Sequence, residues 1–168
     1  AIMALGANKV GLYGASASSS LPIITDGLSL YLDANEYSGS GTTWYDLSGN
    51  SKDFTWNSSP SFTSGPPSYF STSGKIATGP ASNSLGINNT SGYSIFVICK
   101  IPSLPANGAF HFYKTGTGAD NRGIFSHLPW TNGIIYFDQG GCCATSQRVS
   151  VSGGTVTGWN VFTFTRDT

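Results

Sequence analysis

Turn-forming residues interrupt this chain so often that no helix of ordinary length fits between them. Ser64-Gly65-Pro66-Pro67, residues 102–108, Gly116-Thr117-Gly118, Gly140-Gly141 and Gly153-Gly154 each combine residues that reverse or break a regular element. Between these clusters the apolar residues show no sustained 3.6-residue period, and the strongest segments alternate at two. Strands are expected at 27–34, 52–56, 68–72, 74–78, 93–101, 109–114, 122–127, 133–138, 147–152 and 159–166, with one short helical turn at 85–88. Many short strands separated by Gly, Pro and Asn turns describe an all-β domain.

Three segments carry most of that expectation. Leu28, Leu30 and Leu32 fall on one face at period two, and Trp44-Tyr45-Asp46-Leu47-Ser48-Gly49-Asn50 then closes on a dipeptide suited to positive φ. Tyr93-Ser94-Ile95-Phe96-Val97-Ile98-Cys99-Lys100-Ile101 is β-branched and aromatic, with apolar residues on both faces, which predicts a central buried strand. At the end of the chain, Trp159, Val161, Thr163 and Thr165 share one face, and Asn160, Phe162, Phe164 and Arg166 the other.

The 168 residues suit one domain. Only 10% are charged, against about 25% in an average soluble domain, yet aromatics reach 13%, which argues against disorder. Eight basic and eight acidic residues cancel, and no basic run exists, so the chain offers a nucleic-acid backbone no electrostatic footprint. No apolar run approaches the roughly 20 residues that span a bilayer. Residues 1–25 read as an arm outside the main fold. Their apolar members Ile2, Met3, Leu5, Val10, Leu12 and Tyr13 are expected to dock on another chain, and Ser16 to Ser20 resembles a linker. This N-terminus has no basic region before an apolar block and makes a poor secretion signal. Cys99, Cys142 and Cys143 form no disulfide framework and no zinc spacing. They read as structural thiols, with one bridge from Cys99 to Cys142 or Cys143 left open.

The blocks Gly27-Leu28-Ser29-Leu30-Tyr31-Leu32-Asp33-Ala34 and Gly41-Thr42-Thr43-Trp44-Tyr45-Asp46-Leu47-Ser48-Gly49-Asn50 resemble the opening of laminin-G-like, concanavalin-A-like jelly-roll domains. Tyr93 to Val97, the Phe137-Asp138-Gln139-Gly140-Gly141 turn and the Trp159 to Asp167 strand continue the match. The resemblance spans residues 26–168 and implies a jelly-roll β-sandwich. Such domains typically continue past a strand like the last one here, so the resemblance implies that C-terminal strands are missing. It also implies a setting, since domains of this kind are common on phage tail fibres, on other virus surfaces and on bacterial surfaces. In that setting the arm would bind other virion proteins, the protein would assemble as an oligomer on the virion surface, and its loops would meet a host-surface glycan. A secreted or surface bacterial carbohydrate-binding domain is one alternative to this non-enzymatic reading, and a polysaccharide-cleaving enzyme of the same fold is the other.

Catalytic patterns are sparse. Retaining glycoside cleavage needs two carboxyl groups about 5 Å apart, and relatives with that activity place them at alternate positions of one strand. The single glutamate, Glu36, has no such partner, and Asp120, Asp138 and Asp167 are isolated in sequence. No Gly-x-Ser-x-Gly elbow and no phosphate-binding loop is present. His111, between two phenylalanines, reads as a sheet residue, and His127 as a loop-mouth residue. No cofactor is required. Calcium is possible at Asp46 with Asn50, and at Asp120-Asn121 or Asp138, although Asp46 also suits a turn cap. The sharper expectation is sugar binding. It needs an aromatic face for the pyranose ring and polar groups for the hydroxyls, and the candidates are Trp130, Asn132, Asp138 and Arg148. The loop aromatics Trp44, Tyr45 and Trp56 are further possibilities.

Overall fold

The computed structural model describes residues 23–71, 74–87, 91–101, 103–104, 110–112, 124–139, 148–153 and 156–167. The residues expected to form the docking arm, Ile2, Met3, Leu5, Val10, Leu12 and Tyr13, lie outside this set, as do Cys142, Cys143, Asp120 and Asn121. The described residues form eleven strands: β1 (Thr43–Trp44), β2 (Phe54–Trp56), β3 (Ser61–Thr63), β4 (Tyr69–Ser71), β5 (Ala77–Thr78), β6 (Tyr93–Ile101), β7 (Phe110–Phe112), β8 (Ile124–His127), β9 (Ile134–Gln139), β10 (Arg148–Ser152) and β11 (Val156–Arg166). Two 3-10 turns, Ala34–Glu36 and Ser82–Leu85, are the helical content of the described residues. The chain is all-β.

Every strand pair is antiparallel. β7 to β10 form a four-stranded meander, β6 and β11 a two-stranded ribbon, β1, β2 and β5 a small sheet, and β3 and β4 a hairpin. The ribbon packs on the meander. Ile101 and Phe164 from the ribbon meet Ile124, Ile135 and Phe137 from the meander in one core, with Leu128 beside them. Phe137 and Phe164 touch directly, their ring centroids 4.9 Å apart. Alternation on β6 explains the ribbon's share, because Tyr93, Ile95, Val97 and Cys99 lie against this core at every second position. Cys99 is a half-buried free thiol, and burial pushes its pKa up.

A second cluster is purely aromatic. Phe70 lies within 5.6 Å, centroid to centroid, of Tyr37, Trp44, Trp56 and Phe62. Trp44 and Trp56 stack with their planes 16° apart. This cluster ties the small sheet to the β3–β4 hairpin, and each added ring contributes burial plus a directional ring contact.

Three expectations need correction. Residues 27–34 form no strand: Gly27 lies in a turn at φ +72° and Ala34 opens a 3-10 turn, and between them backbone groups are taken by the turn that follows. Tyr31 N donates to Asp46 Oδ1, Leu47 N donates to Tyr31 O, and the Asn50 amide donates to Leu28 O. The helical turn expected at 85–88 lies earlier, at Ser82–Leu85. β6 occupies the expected residues, but its two faces differ. Phe96 and Ile98 on the outer face are each 68% exposed, since the ribbon has the meander on one side only.

Candidate functional site

The β8–β9 hairpin builds the site. His127 ends β8, and Trp130 N donates to Ile134 O while Gly133 N donates to Trp130 O. Gly133 sits at φ +77°, a conformation that suits glycine and lets the chain re-enter as β9. The Asn132 side chain locks this turn, because its Oδ1 accepts from Ile134 N at 3.0 Å.

Register then decides which side chains meet. His127 lies opposite Tyr136, and Asp138 opposite Phe125 on one side and Arg148 on the other. Directly opposed residues of an antiparallel pair point to the same face. Ile135 and Phe137 face the core, so Tyr136, Asp138, His127 and Arg148 share the outer face of the meander. There they form a continuous chain. Trp130 packs on His127 at 4.3 Å and His127 meets Tyr136 edge-on at 6.1 Å. The Arg148 guanidinium lies over the Tyr136 ring at 4.3 Å, and the Asn132 amide donates to Tyr136 Oη at 3.0 Å.

Arg148 grips Asp138 with two parallel hydrogen bonds, Nε to Oδ1 at 2.5 Å and Nη2 to Oδ2 at 2.6 Å. Asp138 is 1% exposed and Arg148 22%. Donating to the Asp138 carboxylate is the main reason the Arg148 pKa is raised, against a smaller opposing effect of burial. The carboxylate and guanidinium therefore neutralise each other in a geometry that favours the pair.

The four residues expected to bind a sugar, Trp130, Asn132, Asp138 and Arg148, thus gather on one face. They differ in reach. Trp130, Tyr136 and Arg148 are partly exposed and Asn132 is exposed, so these four can touch a ligand. His127 and Asp138 lie behind them, buried. Sequence reasoning passed over Tyr136 and assigned His127 no part in the patch. The signal that finds Tyr136 is the period of two counted back from Asp138. The patch has the components of a stacking and hydroxyl-bonding surface. It does not resemble an acid–base pair, because the described side chains flanking Asp138 on this face are those of Arg148 and Tyr136.

The other candidates are placed elsewhere. Asp46 caps its turn: Oδ1 accepts from Tyr31 N and Ser48 N, and Oδ2 from Ser48 Oγ and Lys52 N, all within 3.0 Å. Burial raises the Asp46 pKa, but these four donors outweigh burial and hold it below 3.8. Asn50 uses its amide to hold the Leu28 and Ser29 carbonyls and Ser48 Oγ. Among the described residues no group of three or more His, Cys, Asp and Glu side chains is placed to hold a metal. Trp44 and Trp56 belong to the aromatic cluster, and Trp56 is 4% exposed, which removes it from ligand reach. Tyr45 is exposed. No described helix is long and apolar enough to cross a membrane. Comparison with protein-family models, with curated proteins and with solved structures finds no match to this chain.

Proposed function

We propose that this protein is a non-enzymatic recognition module, a jelly-roll β-sandwich of the concanavalin-A-like kind, that binds a glycan on the outer face of its β7–β10 sheet. One observation carries the reading. Trp130, Asn132, Tyr136 and Arg148 converge on one sheet face as an aromatic surface with polar groups at its edge, and the only carboxylate among the patch residues is already held by Arg148. Trp130 and Tyr136 supply ring faces for a pyranose. Asn132 and the Arg148 guanidinium supply donors for hydroxyls. The resemblance of the opening blocks to virion surface domains supplies the setting, which is display on a particle that attaches to a host surface.

A glycan array probed with the purified protein tests this. The expected result is binding to a defined saccharide class that Trp130→Ala abolishes while the circular dichroism spectrum stays unchanged. Binding that survives Trp130→Ala, or turnover of a bound glycan, would overturn the reading.

A further inference from the structure

The side-chain polar groups that reach the surface of the Trp130 patch are mostly donors. Asn132 commits its Oδ1 to Ile134 N, the bond that locks the turn. One hydrogen of its Nδ2 goes to Tyr136 Oη, and the second remains to be given. Tyr136 Oη accepts that bond and keeps its own proton to donate. Arg148 brings guanidinium N–H groups and Trp130 an indole N–H, and neither side chain holds an acceptor. Acceptance would fall to Asp138, but both of its oxygens are held by Arg148 and it is 1% exposed. That pair also carries no net charge. The patch side chains therefore offer donors beside an aromatic ring, with the one carboxylate withdrawn.

Given the glycan reading proposed above, on which this inference rests, such a surface discriminates among sugars. A ring hydroxyl both donates and accepts, and against donors alone its own proton must find a partner elsewhere or go without. A carboxylate only accepts, but on Arg148 it would join Asp138 and place two negative charges on one guanidinium. An acetamido group meets both conditions. Its carbonyl only accepts, and it is uncharged. Its N–H points away from the carbonyl, because the two lie antiparallel across a trans amide, so the N–H stays in water when the carbonyl faces the donors. Its methyl group is apolar and suits an aromatic ring. We infer that the patch takes a neutral N-acetylated hexosamine. The acetamido carbonyl accepts the remaining Asn132 Nδ2 hydrogen, and the methyl packs on Trp130. Both residues belong to one turn, which is closed by the bonds from Trp130 N to Ile134 O and from Ile134 N to Asn132 Oδ1.

The test measures the affinity of the full chain for oligosaccharides matched in pairs that differ at one ring. The rings compared are N-acetylglucosamine, N-acetylgalactosamine and N-acetylmannosamine against glucose, galactose and mannose, with glucuronate and galacturonate as the acidic counterparts. At least one N-acetylated member should bind about ten-fold tighter than its parent hexose, the worth of one hydrogen bond, and tighter than either uronate. The variant is Asn132→Asp, which keeps an oxygen for Ile134 N and removes the Nδ2 donor. It should bring that ratio close to one, and its added charge acts alike on both neutral members of a pair. Equal affinity within every pair, or a preference for a uronate, would overturn the inference and leave the glycan reading in place. So would an N-acetyl preference that Asn132→Asp leaves unchanged. Binding to no saccharide at all would overturn both.

Discussion

Asp46 shows how much one side chain can organise. Four donors, from Ser48 and Lys52 of the loop and from Tyr31, converge on its two oxygens, and three of the donors are backbone N–H groups with no strand partner. Asp46→Ala leaves them unsatisfied and should cost about 2 kcal/mol, read from urea unfolding. The pH dependence has a definite sign. The folded carboxyl lies below the ordinary 3.8, so its stabilisation is complete above that value and is lost as the pH falls through the lower folded value. Wild type and Asp46→Asn should therefore converge in stability on acidification below 3.8, and a constant difference would exclude the carboxylate as the cause. Arg148 carries a larger cost, since Arg148→Ala strands a buried carboxylate and should destabilise by about 3 kcal/mol. Ser126 has the opposite sign. It is 0% exposed on the core face, and its Oγ has no hydrogen-bond partner among the described residues, so Ser126→Ala should be neutral or stabilise by about 1 kcal/mol in the same assay.

At the level of elements, the passage from β10 to β11 depends on Gly153. A Cβ there would lie 2.5 Å from Ile135 Cδ1, because the chain crosses closely over the core as it leaves the meander. Gly153→Ala should lower the stability by about 1–3 kcal/mol, and an unchanged melting temperature would show that Ile135 moves aside freely. The strands most legible in the sequence were those whose pattern has one cause. β6 was placed residue for residue, and β9, β10 and β11 to within a few positions, because alternation between a core face and an outer face repeats along each of them. β1 and β3 escaped notice since two or three residues are too few to show a period. Residues 27–34 misled for a different reason. The leucines do alternate, but alternation fixes only an extended backbone. Whether that backbone joins a ladder depends on which groups take its N–H and C=O, and here Asp46, Leu47 and Asn50 take them.

For the whole molecule, the sequence carried the fold class further than the site. Gly- and Pro-rich turns with two-residue periodicity sufficed for an all-β chain, while the pairing of four separate sheets depends on long-range contacts that no local window contains. The candidate patch was half legible. Trp130 and Asn132 announce themselves in a Gly-terminated turn, and Asp138 and Arg148 are visible as charges in a chain with few. Their convergence, and the part played by Tyr136, follow from the β8–β9–β10 register alone. The central claim is that this outer face binds a saccharide through Trp130, and the most direct measurement is an NMR titration of the four indole N–H signals with the best ligand from a glycan array. The Trp130 signal should shift progressively with saccharide while those of Trp44 and Trp56, packed in the aromatic cluster, stay fixed. A stationary Trp130 signal at saturating ligand, with Trp159 or other residues moving instead, would contradict the account.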